Sequence, residues 1–160
     1  MSPAAVGYGA VLERELEWLL ADGTLLEPGG PFAVAVTQVR RLSQGHRQLF
    51  LAHASMTARS RSKAGDRQED HALIALVLWP ALGGGTHAGA DQDRLDVAVA
   101  KLLARIQADD DHGGRWWSVS TPVVAPPSPL TALAYRDAIA ASGNAYTLTV
   151  TWTCSEWVDG

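Results

Sequence analysis

Hydrophobic residues recur at helical spacing in two segments of the chain. Within residues 8–20 the apolar positions fall every three or four residues, the glutamates at 13, 15 and 17 are assigned to the outer faces, and Gly23 follows as a stop. Within residues 93–106 apolar residues again repeat at intervals of three and four, with Asp91 or Asp93 as the cap. The pattern predicts two amphipathic α-helices.

Alternating or continuous apolar residues predict five strands, at 32–39, 48–58, 71–79, 116–124 and 145–154. The continuous apolar run at 71–79 is typical of a central strand that is buried on both faces. Pro122 indicates an edge or a bulge. The last strand alternates strictly, and we expect its threonine face to be exposed or to lie against another subunit.

The connections complete the predicted fold. The polar segment 60–70 is expected to form the tip of a long hairpin, residues 83–89 a flexible glycine-rich loop, and 128–141 a short helix capped by Ser128. The order of elements predicts an α+β fold. It is a two-layer sandwich in which two main helices pack on one face of a mostly antiparallel or mixed sheet of about five strands.

Composition limits the class of protein. A chain of 160 residues with 47% apolar residues is expected to fold as one domain spanning 1–160. No apolar run is long enough to span a membrane, and the first residues do not resemble a secretory signal. Cys154 is the single cysteine, which excludes an internal disulfide, so we expect folding in the cytosol.

The net charge of −4 hides three unequal segments. Residues 1–37 carry −4, residues 38–67 carry +6 and residues 68–160 carry −6. Such asymmetry indicates complementary surfaces on a partner or on a second copy of the chain. A solvated arginine-rich loop is an equally open explanation.

Candidate chemistry is weak throughout. The glycines at 83–89 fit neither phosphate-binding pattern, and the five histidines show no metal-binding spacing. The 109–112 cluster, Asp-Asp-Asp-His, is best explained as a solvated acidic turn, and Glu69-Asp70-His71 as an exposed polar boundary. Cys154 is expected in the core, where burial disfavours a nucleophilic thiolate. The sequence therefore predicts no catalytic residue, no metal site and no cofactor.

The tryptophans are the remaining signal. Trp18, Trp79 and Trp152 fit contacts in the core, whereas Trp116 and Trp117 cannot both point inward from one strand. We expect one of that pair to be exposed or to lie in an interface.

The order of these elements resembles the tail terminator, or tail completion, proteins of long-tailed bacteriophages and related tail-like particles. The corresponding pieces are the first helix at 8–20, the strands and long hairpin at 32–79, the second helix at 93–106, and the closing strand at 145–154. The resemblance is one of topology, without a signature motif, and the proline-rich segment within 116–141 is longer than the family pattern.

The resemblance implies a non-enzymatic structural protein of the virion, located at the head–tail junction and assembled in the host cytoplasm. It implies a typically hexameric ring that caps the tail tube, ends its polymerisation and joins it to the head connector. DNA would pass through the lumen as non-specific cargo, and no membrane is involved. The hypothetical interface residues are the bases of the +6 segment and the tryptophan pair: Arg40, Arg41, Arg47, Arg59, Arg61, Lys63, Arg67, Trp116 and Trp117.

Two alternatives stay open. One is another neck subunit, or the cap of a contractile injection system, which would place the same demands on the surface. The other, from a different class, is a small ligand-binding or enzymatic α+β domain with a pocket beneath residues 83–89.

Charge reversal at the predicted hairpin tip tests the assembly hypothesis. Changing Arg59, Arg61 and Lys63 to Glu should leave folding intact and abolish head–tail joining, because it removes the proposed electrostatic attraction. Particle assembly in the presence of the variant is the measurement, and undiminished assembly would contradict the hypothesis.

Overall fold

The computed structural model describes residues 7–37, 47–60, 66–80, 88–126 and 145–158. The predicted helix at 128–141, most of the predicted loop at 83–89, and the candidate residues Arg40, Arg41, Arg61 and Lys63 lie outside the described residues. The backbone of Arg59 is described within a strand, but its side chain is not.

The described residues form two helices and six strands. In chain order they are α1 Gly7–Leu20, β1 Val34–Thr37, β2 Gln48–Ser60, β3 Arg67–Pro80, α2 Ala88–Ile106, β4 Ser118–Val119, β5 Val123–Ala125 and β6 Ala145–Val158. The strands make one mixed sheet in the order β1-β2-β3-β6-β4, with β5 also paired to β6. β1 and β2 run parallel, and the other pairs are antiparallel. The predicted α+β fold is confirmed, with six strands where about five were expected.

Both helices pack on one face of the sheet. Leu12 and Leu19 of α1 and Leu102 of α2 are fully buried in one cluster with β3 residues such as Leu73 and Val77. Burial of each such side chain stabilises the fold by about 1.5–3 kcal/mol. The helical periodicity in the sequence therefore identified the side of each helix that faces the sheet.

The central strand is buried on both faces, as predicted. Leu76 and Leu78 alternate with the helix-facing residues of β3 and are also fully buried. On the same side of the sheet Thr149 is only 5% exposed, and its hydroxyl donates a hydrogen bond to the Ala125 carbonyl at 3.0 Å. The expectation of an exposed or subunit-covered threonine face is therefore wrong at Thr149, because β5 of the same chain contacts it.

The hairpin is longer than its hydrophobic pattern indicated. The polar connection was expected at 60–70, but β2 continues to Ser60 and β3 begins at Arg67. The reason is that β3 pairs with β2 on one side and with β6 on the other as far as Arg67, so neighbouring strands supply its backbone hydrogen bonds whatever its side chains are.

The second helix also begins earlier than expected. α2 begins at Ala88, so Gly89 lies in the helix and not in a loop, and neither Asp91 nor Asp93 is its cap. Acidic side chains near a helix N-terminus interact favourably with the helix dipole, so they are compatible with an earlier start. No helix in the described part of the chain has the length and apolar character needed to cross a membrane.

The strand predicted at 116–124 is divided by Pro122. β4 and β5 both pair with β6 near the edge of the sheet, which confirms the edge interpretation. A second irregularity lies in β2, where the register with β3 shifts between His53 and Ser55.

The turn after α2 has three successive residues with left-handed backbone, His112, Gly113 and Gly114, with φ of 49°, 69° and 81°. The Asp109 carboxylate accepts the backbone N–H of Gly113 at 3.0 Å, and Asp111 accepts that of Gly114 at 3.1 Å. This turn points His112 back into the fold.

A side chain at Gly113 should destabilise the protein. A Cβ there would lie 3.1 Å from Arg115 Nη1 in a left-handed conformation, so Gly113→Ala should lower the free energy of unfolding by about 1–2 kcal/mol. Gly9→Ala is the matched control, because a Cβ in that helical position has no neighbour within 4 Å and the change should be neutral or stabilising by up to about 1 kcal/mol. Urea unfolding followed by tryptophan fluorescence measures both, and equal effects would contradict the assignment of the turn.

Candidate functional site

The described surface candidates are partly engaged within the chain. Arg47 forms an ion pair with Glu27 and lies over the Trp79 ring, with Cζ 5.9 Å from its centroid. Arg67 contacts Glu69 at 2.9 Å. Both arginine side chains nevertheless stay substantially exposed, at 39% and 48%.

The tryptophan pair divides as strand alternation requires. Trp116 is 3% exposed and belongs to the core, whereas Trp117 is 58% exposed and packs edge-on against Trp157 with ring centroids 5.8 Å apart. Trp116 therefore offers no surface to a partner in this fold, and Trp117 is the member of the pair that does. Trp18, Trp79 and Trp152 are buried, as predicted.

A buried glutamate connects the first helix to the sheet and to the turn after α2. Glu15 is fully buried; one carboxylate oxygen lies 2.6 Å from His112 Nδ1, and the other accepts hydrogen bonds from Trp152 Nε1 at 2.7 Å and Cys154 Sγ at 2.9 Å. We call these four residues the Glu15 network. The expectation that Glu15 lies on an outer face is wrong, because position 15 falls on the same helical stripe as Leu12, Leu16 and Leu19.

His112 is fixed from both sides of its ring. Its Nε2 lies 2.8 Å from the Ile106 carbonyl, which can only accept, so that nitrogen carries a proton. The ring stacks on Trp18 with centroids 3.7 Å apart and planes 3° from parallel. His112 is fully buried, so the expected solvated turn is wrong at this residue, although Asp109 and Asp110 are exposed.

Charge pairing explains how the carboxylate is tolerated. Burial alone would raise the pKa of Glu15, but its hydrogen bond and ionic attraction to His112, with the Cys154 and Trp152 hydrogen bonds, hold that pKa below its ordinary value of 4.5. Burial, together with the negative charge of Glu15, raises the pKa of the Cys154 thiol well above its ordinary range. Cys154 is thus a buried thiol, as expected, in surroundings that disfavour the thiolate.

A second cluster of titratable residues lies nearer the hairpin, on the same face of the sheet. Glu69 and Glu156 are cross-strand partners of β3 and β6, and His71 follows Glu69 by two positions. Exposure of the three residues is only 8%, 7% and 3%, respectively. The interpretation of Glu69-Asp70-His71 as an exposed boundary is therefore wrong, because β6 pairs with this end of β3 and Arg14 of α1 reaches Glu156.

Three atoms of this cluster converge. His71 Nε2 lies 3.3 Å from Glu156 Oε1 and 3.6 Å from Glu69 Oε2. Neither His71 Nε2 nor Glu156 Oε1 has a hydrogen-bond partner of suitable geometry within the described structure. Donor atoms of all three residues lie within 4.8 Å of one another, which is close enough for one metal ion to contact them together.

The second polar side-chain atom of each of the three residues contacts a residue outside the cluster. His71 Nδ1 lies 3.1 Å from His53 Nε2, Glu156 Oε2 accepts from Arg14 Nη1 at 2.6 Å, and Glu69 Oε1 accepts from Arg67 at 2.9 Å. Burial, and then the charge of His71, lower the pKa of His53. For Glu156, burial alone would raise the pKa, but His71 and Arg14 bring it below its ordinary value.

A cavity of about 190 Å³ adjoins this cluster. Glu156 and Arg14 line it together with Arg115, Trp116, Trp117 and Trp157. The Trp116 indole N–H is buried and has no hydrogen-bond partner among the described residues. The cavity therefore places two cations and several indole rings beside a buried carboxylate.

Sequence reasoning missed both clusters for different reasons. The spacing of Glu15 among leucines was a usable signal, because a polar residue on a core stripe needs a buried partner. The second cluster had no comparable signal, since it depends on the register that places Glu69 opposite Glu156.

Comparisons with known proteins do not relate the chain to a family. A scan against protein-family models and a search of curated proteins both found no match to the chain.

Removal of the Glu15 charge should destabilise the fold strongly. Glu15→Gln removes the buried carboxylate that His112, Trp152 and Cys154 contact, and should lower the free energy of unfolding by about 1–3 kcal/mol at neutral pH because buried polar groups lose their partner. Glu17→Gln is the matched control on the same helix; its side chain is 74% exposed, so its effect should stay within about 0.5 kcal/mol.

Acid should reveal the same interaction. The pKa of Glu15 is lower in the folded chain, so its contribution is complete above 4.5 and is lost as the pH falls from 4.5 towards the folded-state pKa. Urea unfolding at a series of pH values should show a steeper loss of stability below pH 4.5 in the wild type than in Glu15→Gln. Parallel curves for the two proteins would contradict a charged Glu15.

Proposed function

We propose that the protein is an assembly protein of the tail terminator type, acting as a ring of identical subunits. In this role the ring, with six copies as the expected number, caps a tail tube, ends its polymerisation and joins the tube to a head connector. DNA crosses the lumen without sequence-specific contact, and the place of action is the head–tail junction of the virion.

The observation that carries the proposal is an exposed sheet edge. β1 pairs only with residues 48–51 of β2, and no strand in the described part of the chain pairs with the outer side of β2 beyond them. Residues 54–58, Ala-Ser-Met-Thr-Ala, are all exposed and contain neither a charged residue nor a proline. The bulge between His53 and Ser55 interrupts this edge, but residues 55–58 beyond it lack the lysine or proline with which monomeric proteins usually protect an edge, so this part favours strand pairing with another chain.

The other side of the sheet supplies a different surface. Val123 is 58% exposed and Val124 39% exposed on β5, and Trp117 is exposed just before β4. A ring requires two different surfaces of one chain to meet, because a head-to-tail contact repeats around a closed circle. The β2 edge and the β4–β5 region lie at opposite edges of one sheet, so they offer the two different surfaces that a ring contact requires.

The shape of the hairpin also fits a joining role. β2 and β3 extend for 13 and 14 residues, and their distal halves carry the basic residues Arg59 and Arg67. The alternation of net charge between segments gives neighbouring subunits or ring partners complementary charges. A neck subunit or an injection-system cap would use the same features, so isolation of the complex formed with tails distinguishes these roles.

Blocking the β2 edge should dissolve the ring. In the double variant Met56→Lys and Thr57→Lys a lysine enters each face of the exposed edge, and we expect subunits that remain folded but run as monomers. Mass photometry and negative-stain images of the wild type should show closed rings at the same concentration.

Ala104→Lys is the matched control, since it adds one lysine at an exposed position of α2 away from the sheet edge. It should keep the ring. A wild-type protein that is monomeric at all concentrations and does not associate with tails would overturn the proposal. If the double variant still forms rings, the β2 edge is not the contact between subunits.

A further inference from the structure

We propose that Glu69, His71 and Glu156 bind a divalent transition-metal ion, with zinc as the expected occupant. The ligand atoms are Glu69 Oε2, His71 Nε2 and Glu156 Oε1, which converge at the end of the sheet nearest the hairpin. The site is independent of ring formation, because all three ligands come from one chain.

The spacing of the ligand atoms agrees with tetrahedral coordination. Zinc binds histidine nitrogen and carboxylate oxygen at about 2.0–2.2 Å, which separates two ligand atoms of a tetrahedron by about 3.3–3.6 Å. The distances from His71 Nε2 to the two carboxylate oxygens are 3.3 and 3.6 Å. The histidine nitrogen therefore already lies at tetrahedral spacing from each of the two carboxylate oxygens.

Each ligand is also oriented by a partner on its far side. A metal-binding histidine normally engages its second ring nitrogen in a hydrogen bond, and coordinating carboxylates are held in the same way. His53 contacts His71 in this way, while Arg14 donates a hydrogen bond to Glu156 and Arg67 donates one to Glu69. His53 Nε2, 3.1 Å from His71 Nδ1, is placed to accept a hydrogen bond from that ring nitrogen.

The cluster contains two opposed carboxylates and two buried polar atoms without a suitable partner among the described residues, and a bound cation would stabilise both. Glu69 and Glu156 are directly opposed across two strands, and like charges in that arrangement are destabilising. Glu156 Oε1 and His71 Nε2 are buried without a hydrogen-bond partner of suitable geometry in the described structure. A metal ion between them supplies both the charge and the missing contacts.

The donor set selects the class of ion. One imidazole with two carboxylates suits zinc or a neighbouring first-row metal better than calcium or magnesium, which prefer oxygen ligands alone. Three protein ligands leave a further coordination position for water or another ligand. The site would join β3 to β6 and, through Arg14 and His53, hold α1 and β2 against them.

Metal titration of the full-length protein tests the proposal. After treatment with a chelator and its removal, calorimetric titration with ZnCl₂ should show one site per chain, and CaCl₂ should give no comparable binding. The Co²⁺-loaded protein should show d–d absorption without a thiolate-to-cobalt charge-transfer band, because no ligand is a cysteine. A charge-transfer band would place the ion at Cys154 and overturn the proposal.

Variants locate the site. His53→Gln, which removes a hydrogen-bond partner of a ligand, should weaken zinc binding by about 10–100-fold. His71→Gln and Glu156→Gln, which each remove a ligand, should weaken it by more than that. Cys154→Ser is the matched control, since Cys154 belongs to the Glu15 network, and it should bind zinc as the wild type does. Circular dichroism of the metal-free variants checks their folding.

Two results would overturn the site. One is wild-type protein that binds no zinc at micromolar concentrations. The other is zinc binding that His71→Gln and Glu156→Gln, both folded, leave unchanged. Either result would leave the proposed ring untouched, because the ring rests on the β2 edge.

Discussion

The fold depends on the buried contact between the Glu15 carboxylate and the His112 ring. This one carboxylate contacts a turn nearly a hundred residues away and also accepts hydrogen bonds from two side chains of β6. Because an unpaired charge in such a place is costly, the helix, the turn and the closing strand must all be in place together. Hydrophobic burial holds the layers against each other, and this pair fixes how they are aligned.

Two adjacent residues of α1 contact the two buried polar clusters. Arg14 extends to Glu156 while Glu15 extends to His112, and Arg14 also lies over the Trp116 ring at 4.6 Å. In the last turn of the helix, Arg105 of α2 donates to the Leu19 and Trp18 carbonyls. Polar contacts at the middle of α1 and at its C-terminal turn therefore fix the orientation of the helix about its own axis.

The sequence predicted what depends on local periodicity and missed what depends on pairing. Both helices, the central strand and the edge at Pro122 followed from the spacing of apolar residues and from proline chemistry. The polar half of the hairpin escaped because its strand character comes from neighbours on both sides. Glu15 was assigned to solvent by residue type, and Glu156 lies beyond the predicted end of its strand, so its partnership with Glu69 required the register of the folded sheet.

The irregularity in β2 constrains how the chain can change over evolution. Between His53 and Ser55 the strand gains one residue relative to β3, next to the point where His53, whose registered neighbour is Leu73, contacts His71 on the same face. Side chains alternate along a strand, so loss of that single residue would exchange the two faces of the hairpin's distal half. An insertion or deletion of one residue within this part of β2 would therefore be selected against, whereas a change of two residues would keep the faces of the strand.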